Sequence, residues 1–140
     1  MQFDKPHLAS DWNPDKQTFP VVMLPKIDGV RGVKPGEQFL GRSLKKLGNL
    51  YTGQFYSAPC LTGFDGELAA DRWNHPDLCR LTTSAVTTHG GAPFTLWWIF
   101  DLINDKTATW GYWDRYQEAK ATIERLQADP LQPESVGHLR

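Results

Sequence analysis

Lys26-Ile27-Asp28-Gly29-Val30-Arg31 places a lysine close to an aspartate, a glycine and an arginine. That set suits attack on a phosphate. An ordinary lysine has a pKa of about 10.4, so holding it as the neutral amine at pH 7 costs roughly 4–5 kcal/mol. A nucleophilic lysine needs burial or nearby cations to lower that cost. Asp28 and Arg31 offer a carboxylate for metal and a guanidinium for phosphate, and Gly29 lets the backbone approach a ligand closely. Read alone, the same six residues also fit a solvated turn.

Stepping along the chain gives the elements that must hold these groups. Residues 1–19, with two prolines and three aspartates, read as an irregular lead-in. Val21–Pro25 reads as a short apolar strand delivering Lys26. Residues 29–33 and 37–42 flank Lys34-Pro35-Gly36, whose Pro-Gly pair marks a hairpin turn. Residues 63–70 form a further strand. Residues 76–88 suit a helix that opens with a proline in its first turn and stops at Gly90-Gly91. Residues 94–103 are apolar on both faces apart from Asp101, as expected for a central strand covered on both sides. Asp101, buried there, needs backbone donors or a cation. Trp113, Tyr116, Ala119, Ile123 and Leu126 fall at helical spacing, which predicts an amphipathic helix over 113–128. Strands with helices packed on them give an α+β class. Because side chains alternate across a strand, Lys26 and Asp28 share a face, as do Asp65 and Glu67.

Three further segments follow the lysine in order: Leu40-Gly41-Arg42-Ser43-Leu44-Lys45-Lys46-Leu47-Gly48-Asn49, Phe64-Asp65-Gly66-Glu67-Leu68, and Leu96-Trp97-Trp98-Ile99-Phe100-Asp101-Leu102. Together with the first motif they resemble the covalent nucleotidyltransferases, specifically the ATP-dependent DNA ligases of small bacteriophage and viral type. The resemblance spans residues 20–103. It implies an ATP-grasp-like adenylation domain with a mostly antiparallel sheet and flanking helices. It implies that Lys26 attacks ATP and carries AMP, with Asp28, Arg31, Glu67 and Phe100 around the nucleotide and Mg²⁺ on Glu67. Arg42 and Lys45 align with the pair that grips the 5′-phosphate of nicked double-stranded DNA, a task suited to a guanidinium fork. Leu24 stands where some phage relatives carry Glu, and Gly41 where Ser is common. Phe100 also fits a plain core position, and Arg42, Lys45 and Lys46 also fit a solvated strand end.

Two later segments of the family pattern, Glu-Gly and Lys-x-Lys, are not found, and neither is an oligonucleotide-binding domain. The expectation is one partial adenylation domain over 1–140, with the chain ending where the strand toward those motifs would begin. A second chain supplying them is a possible partner. Two other readings stay open: an RNA ligase or capping-type nucleotidyltransferase, and a non-catalytic nucleotide-binding or nick-binding half of a split enzyme. The Arg-Ser-x-x-Lys segment and the short step from Lys26 to Glu67 favour the DNA ligases over capping enzymes.

A net charge of −1 excludes a general electrostatic DNA clamp, leaving Arg42, Lys45 and Lys46 as the basic candidates. Six tryptophans in 140 residues call for large aromatic packing surfaces. No stretch is long and apolar enough for a membrane span, and the opening residues lack a signal-peptide core. Cys60 and Cys79 are isolated, without metal spacing, which points to free thiols in a reducing cytoplasm.

Overall fold

The computed structural model describes residues 5–140. Its frame is a three-stranded antiparallel sheet of β1 (Val30–Val33), β2 (Phe64–Ala69) and β3 (Leu96–Leu102), in that spatial order. The helices are α1 (Leu50–Phe55), α2 (Leu78–Thr87) and α3 (Tyr112–Gln127), giving the expected α+β class. β2 and not β3 is the central strand. The outer edge of β3 is met instead by the chain's last residues. Arg140 N donates to Trp97 O at 3.0 Å and Ile99 N to Arg140 O at 2.8 Å, in a parallel bridge.

Alternation along β2 sorts the two faces. Phe64 and Leu68 point into the core and Asp65 and Glu67 point away from it. The core is aromatic: Trp97 meets Phe39 edge-on at 4.8 Å and Phe64 at 6.2 Å, with Tyr56 alongside. Such pairs contribute about 0.5–1.5 kcal/mol each beyond area burial. The Trp97 indole N–H donates to Gly32 O at 3.1 Å, so the fully buried ring leaves no orphan donor.

The helices follow their apolar stripes. Leu78, Thr82 and Val86, four apart on α2, are all buried. On α3, Ala119, Ile123 and Leu126 join the core, with Asp114 in the first turn and Arg125 in the last, matching the helix dipole. Only α1 has no counterpart in the sequence reading. It is six residues long and interrupted by Gly53, and it stands because Asn49 caps it. The Asn49 carboxamide oxygen accepts from Thr52 N at 2.8 Å. Its NH₂ donates to the carbonyls of Thr88, Gly90 and Gly91. One buried side chain thus ties the start of α1 to the end of α2.

Two further expectations need correcting. Val21–Pro25 is not a strand: Val21, Met23 and Leu24 are exposed and no ladder bonds form there. Its Val22, Leu24 and Pro25 line a pocket wall, and no ladder partner pairs with it among the described residues. The hairpin at 29–42 shrinks to β1 and a single bridge, Val33 with Leu40, because Leu40 also bridges Lys46.

Candidate active site

Two motif glycines explain how the strands come together. A Cβ on Gly29 would overlap the Leu68 carbonyl oxygen, and one on Gly66 the Trp98 carbonyl oxygen. Both glycines therefore permit close backbone approach. The β1–β2 register sets Arg31 opposite Glu67. Between β2 and β3 the register slips: Gly66 faces Ile99 but Asp65 faces Asp101, leaving Phe100 as the extra residue of a bulge. Consecutive residues Phe100 and Asp101 consequently line the same pocket, which strict alternation forbids.

This pocket encloses about 750 Å³ and is lined by Lys26, Arg31, Asp65, Glu67, Phe100 and Asp101 among others. Its floor holds two fork-to-carboxylate pairs. Arg31 Nε and Nη2 donate to Asp65 at 2.6 and 2.7 Å, and Arg31 Nη1 donates to the His7 carbonyl at 2.9 Å. The same guanidinium lies 4.8 Å from the Phe100 ring centre. Arg115 Nε and Nη2 donate to Asp101 at 2.8 and 3.0 Å, and its Nη1 donates to Trp110 O at 2.8 Å. Burial works against the Arg31 charge, but the bond and charge of Asp65 outweigh it and raise its pKa.

Glu67 differs from its neighbours. No hydrogen bond or ion pair engages its carboxylate among the described residues. Burial pushes its carboxyl up to about 7; Arg31 and Lys26 oppose that shift, while Asp28 and Asp65 add to it. Within the pocket it is the acid whose oxygens remain available to a ligand.

Lys26 and Glu67 share the pocket, yet the Lys26 side chain is 83% exposed. Its amine lies 3.4 Å from Asp28, itself 73% exposed and outside the pocket lining. The burial that a neutral amine requires is not supplied by the protein's own side chains. Leu24 lines the pocket with Val22, Pro25 and Ile27, so the misread apolar run forms a wall and not a strand. Arg42 and Lys45 line a separate cavity of about 460 Å³ with Lys5 and Lys46, and Leu8 borders both spaces. The turn that carries them is strained: Leu44 holds φ of 58°, a left-handed value unusual for a branched side chain.

Asp101 finds both predicted kinds of partner, the cation Arg115 and the backbone N–H of Leu102 at 2.9 Å. Arg115 and Tyr112, which also borders the pocket, carried no sequence signal as site residues. They sit one turn apart on a helix whose periodicity reads as structural.

No protein-family model matches the chain, and no curated protein does. Among solved structures, the Chlorella virus DNA ligase-adenylate matches with a TM-score of 0.65 at 30% identity, covering 84% of this chain and 41% of that one. A second crystal structure of the Chlorella virus ligase-adenylate matches with a TM-score of 0.57 at 30% identity, covering 72% and 35%. This chain therefore spans less than half the length of the ligases it matches. By fold, identity and motif order together, it resembles the viral-type ATP-dependent DNA ligases and shares the fold of part of their adenylation domain.

Proposed function

We propose that the pocket binds ATP and that Lys26 takes up AMP from it, as the first step of DNA ligation. The observation that carries this reading is the convergence of Lys26, Arg31, Glu67 and Phe100 on one pocket, in a fold shared with a ligase-adenylate. In the step, the Lys26 Nζ lone pair attacks the α-phosphorus. A nitrogen–phosphorus bond forms, the bond to the β-phosphate oxygen breaks, pyrophosphate leaves and the amine gives up a proton. Phe100 offers a face for adenine, and Arg31, held by Asp65, is set to meet sugar or phosphate oxygens.

Among the described residues no group of three or more His, Cys, Asp or Glu could hold a metal, and Asp65 and Asp101 are both occupied by arginines. Mg²⁺ commonly binds through one or two carboxylates plus substrate phosphates, and the unengaged Glu67 suits that mode. When bound it would spread the charge of the phosphates.

The DNA substrate, with Arg42 and Lys45 receiving a 5′-phosphate, and a cytoplasmic setting belong to the same proposal. A second reading, nucleotide binding without sealing by this chain alone, is favoured by the pocket's charge. Arg31 and Arg115 are held by Asp65 and Asp101, which leaves Lys26 as the one lining Lys or Arg, among the described residues, not engaged by a pocket carboxylate and free to meet a triphosphate. Incubating the purified chain with labelled ATP or GTP and Mg²⁺ tests both readings. ATP-specific, acid-labile label on Lys26 without multiple-turnover sealing of a nicked duplex is expected. Label from GTP alone would point to a capping-type enzyme, and repeated sealing would refute the second reading.

A further inference from the structure

We infer that Arg115, with Tyr112 one turn before it, is a positioning residue for the nucleotide platform: it fixes the β3 bulge so that Phe100 faces the pocket and Arg31 stays with Asp65. The inference rests on the nucleotide reading of the pocket for its functional meaning.

Three observations support it. First, the bulge is what turns Phe100 and Asp101 to the same side, and a bulge leaves ladder bonds unmade. Something outside the sheet must hold it. Second, both holding contacts come from the first turn of α3. The Tyr112 hydroxyl donates to the Phe100 carbonyl at 2.6 Å, and Arg115 grips Asp101 with two parallel N–H bonds. Residues three apart on a helix lie side by side, and the Arg115 guanidinium sits 5.5 Å from the Tyr112 ring centre. The Arg115 and Asp101 side chains are 13% and 7% exposed, so water cannot stand in for either partner.

Third, Asp101 lies directly opposite Asp65 on the neighbouring strand. Two carboxylates in that position repel unless each has its own cation. Arg115 serves Asp101 and Arg31 serves Asp65. Without the Arg115 fork, Asp101 becomes a competitor for Arg31, the residue that lies against Phe100. Arg115 borders the pocket, and its effect on the platform runs through two neighbours, Asp101 and Arg31. Lysine cannot replace it, because a single ammonium lacks the paired, planar donors.

The test uses Arg115→Lys and the gentler Tyr112→Phe in the 140-residue chain. One readout is the nuclear Overhauser contact between Arg31 side-chain protons and the Phe100 ring, measured without ligand. The other is ATP affinity. Arg115→Lys is expected to lose the contact and weaken ATP about tenfold, the cost of replacing a bidentate charged pair. Tyr112→Phe, lacking one hydroxyl, is expected to weaken ATP about threefold. In a Phe100→Ala background, where the platform is already gone, Arg115→Lys should change ATP affinity by less than about twofold.

A merely stabilising Arg115 would lower the melting temperature of the variant and leave both readouts at wild-type values; that result overturns the inference. If Arg115→Lys does not fold, Tyr112→Phe decides by the same two readouts. If the wild-type chain binds no ATP, the nucleotide reading fails and the ligand-free contact alone decides. Its loss in the variants supports the positioning role, and its persistence ends it.

Discussion

The floor of the pocket and the segment that carries Lys26 are built in opposite ways. The floor is sheet: Asp65 and Asp101 face each other across β2 and β3, each locked by an arginine fork, with side-chain exposures between 3% and 14%. Among the described residues the Lys26 segment has no ladder bonds, and its one ion pair joins two side chains that are 83% and 73% exposed. Binding geometry is therefore set before any ligand arrives, whereas the environment of the nucleophile is not. On the proposed reading of Lys26 as nucleophile, the desolvation and positive charge that activate a lysine would come with a nucleotide, a metal or further protein surface. Binding and attack are separable in this arrangement, and each part of the contrast can be tested.

The largest expected effect is on attack. Lys26→Arg should abolish AMP labelling, a loss of about a thousandfold or more, since a guanidinium stays protonated at working pH. ATP affinity should stay within about threefold of wild type, because the floor does not use the Lys26 amine to hold its shape. Titration of the variant with ATP checks this. A collapse of affinity would show that the lysine is part of the binding platform.

Next comes stability of the floor. Asp101→Ala removes one partner of a buried pair and strands Arg115, a change that typically costs roughly 3–5 kcal/mol. Urea unfolding measures it. A cost below about 1 kcal/mol would mean that the pair behaves as a surface ion pair and that the floor is looser than its geometry.

The sequence made the floor's residue types visible but not their pairing. Asp-Gly-Glu and aromatic-Phe-Asp marked Asp65, Glu67 and Phe100, and the strand at 63–70 and the helix at 113–128 emerge as β2 and α3 within a residue or so at each end. Strict alternation would set Phe100 and Asp101 on opposite faces, and the bulge that brings them together is a property of two strands that leaves no mark on one. Arg115 lies 14 residues from Asp101 and no local pattern links them. Val21–Pro25 failed for the opposite reason. Its apolar residues are real, but they wall a pocket where a strand would need a sheet edge. α1 was hidden by its length and by Gly53, since its support comes from Asn49 and the distant carbonyls of α2's end.

The third test concerns Glu67, which joins the two regions. Its folded-state pKa of about 7 lies above the roughly 4.3 of an unfolded glutamate. Between those values the folded state holds the extra proton, so Glu67 makes stability fall as pH rises from about 4.3 through 7. Glu67→Gln should flatten that part of the stability profile. Loading Mg²⁺ and ATP near pH 7 should draw a proton off Glu67, which calorimetry in buffers of different ionisation heat detects. The wild type should release the proton and Glu67→Gln should not. Equal proton release by both would take Glu67 away from the metal and phosphates.

The smallest expected effect is Asp28→Ala. Its partner Lys26 is 3.4 Å away, but both side chains stand in solvent. Ion pairs of that kind contribute about 0–1 kcal/mol, and salt at physiological strength screens them over about 8 Å. No backbone donor or second cation holds the Asp28 carboxylate among the described hydrogen bonds, so its loss strands nothing buried. The expected change in unfolding free energy is within about 0.5 kcal/mol, at least several-fold below that for Asp101→Ala. AMP labelling can fall by far more, because a group that meets metal or phosphate only when nucleotide is bound contributes to attack without supporting the fold. A stability loss above about 1 kcal/mol would break the contrast at its root. It would mean that the Lys26 segment is anchored in the ligand-free protein and that the nucleophile, like the floor, is set in advance.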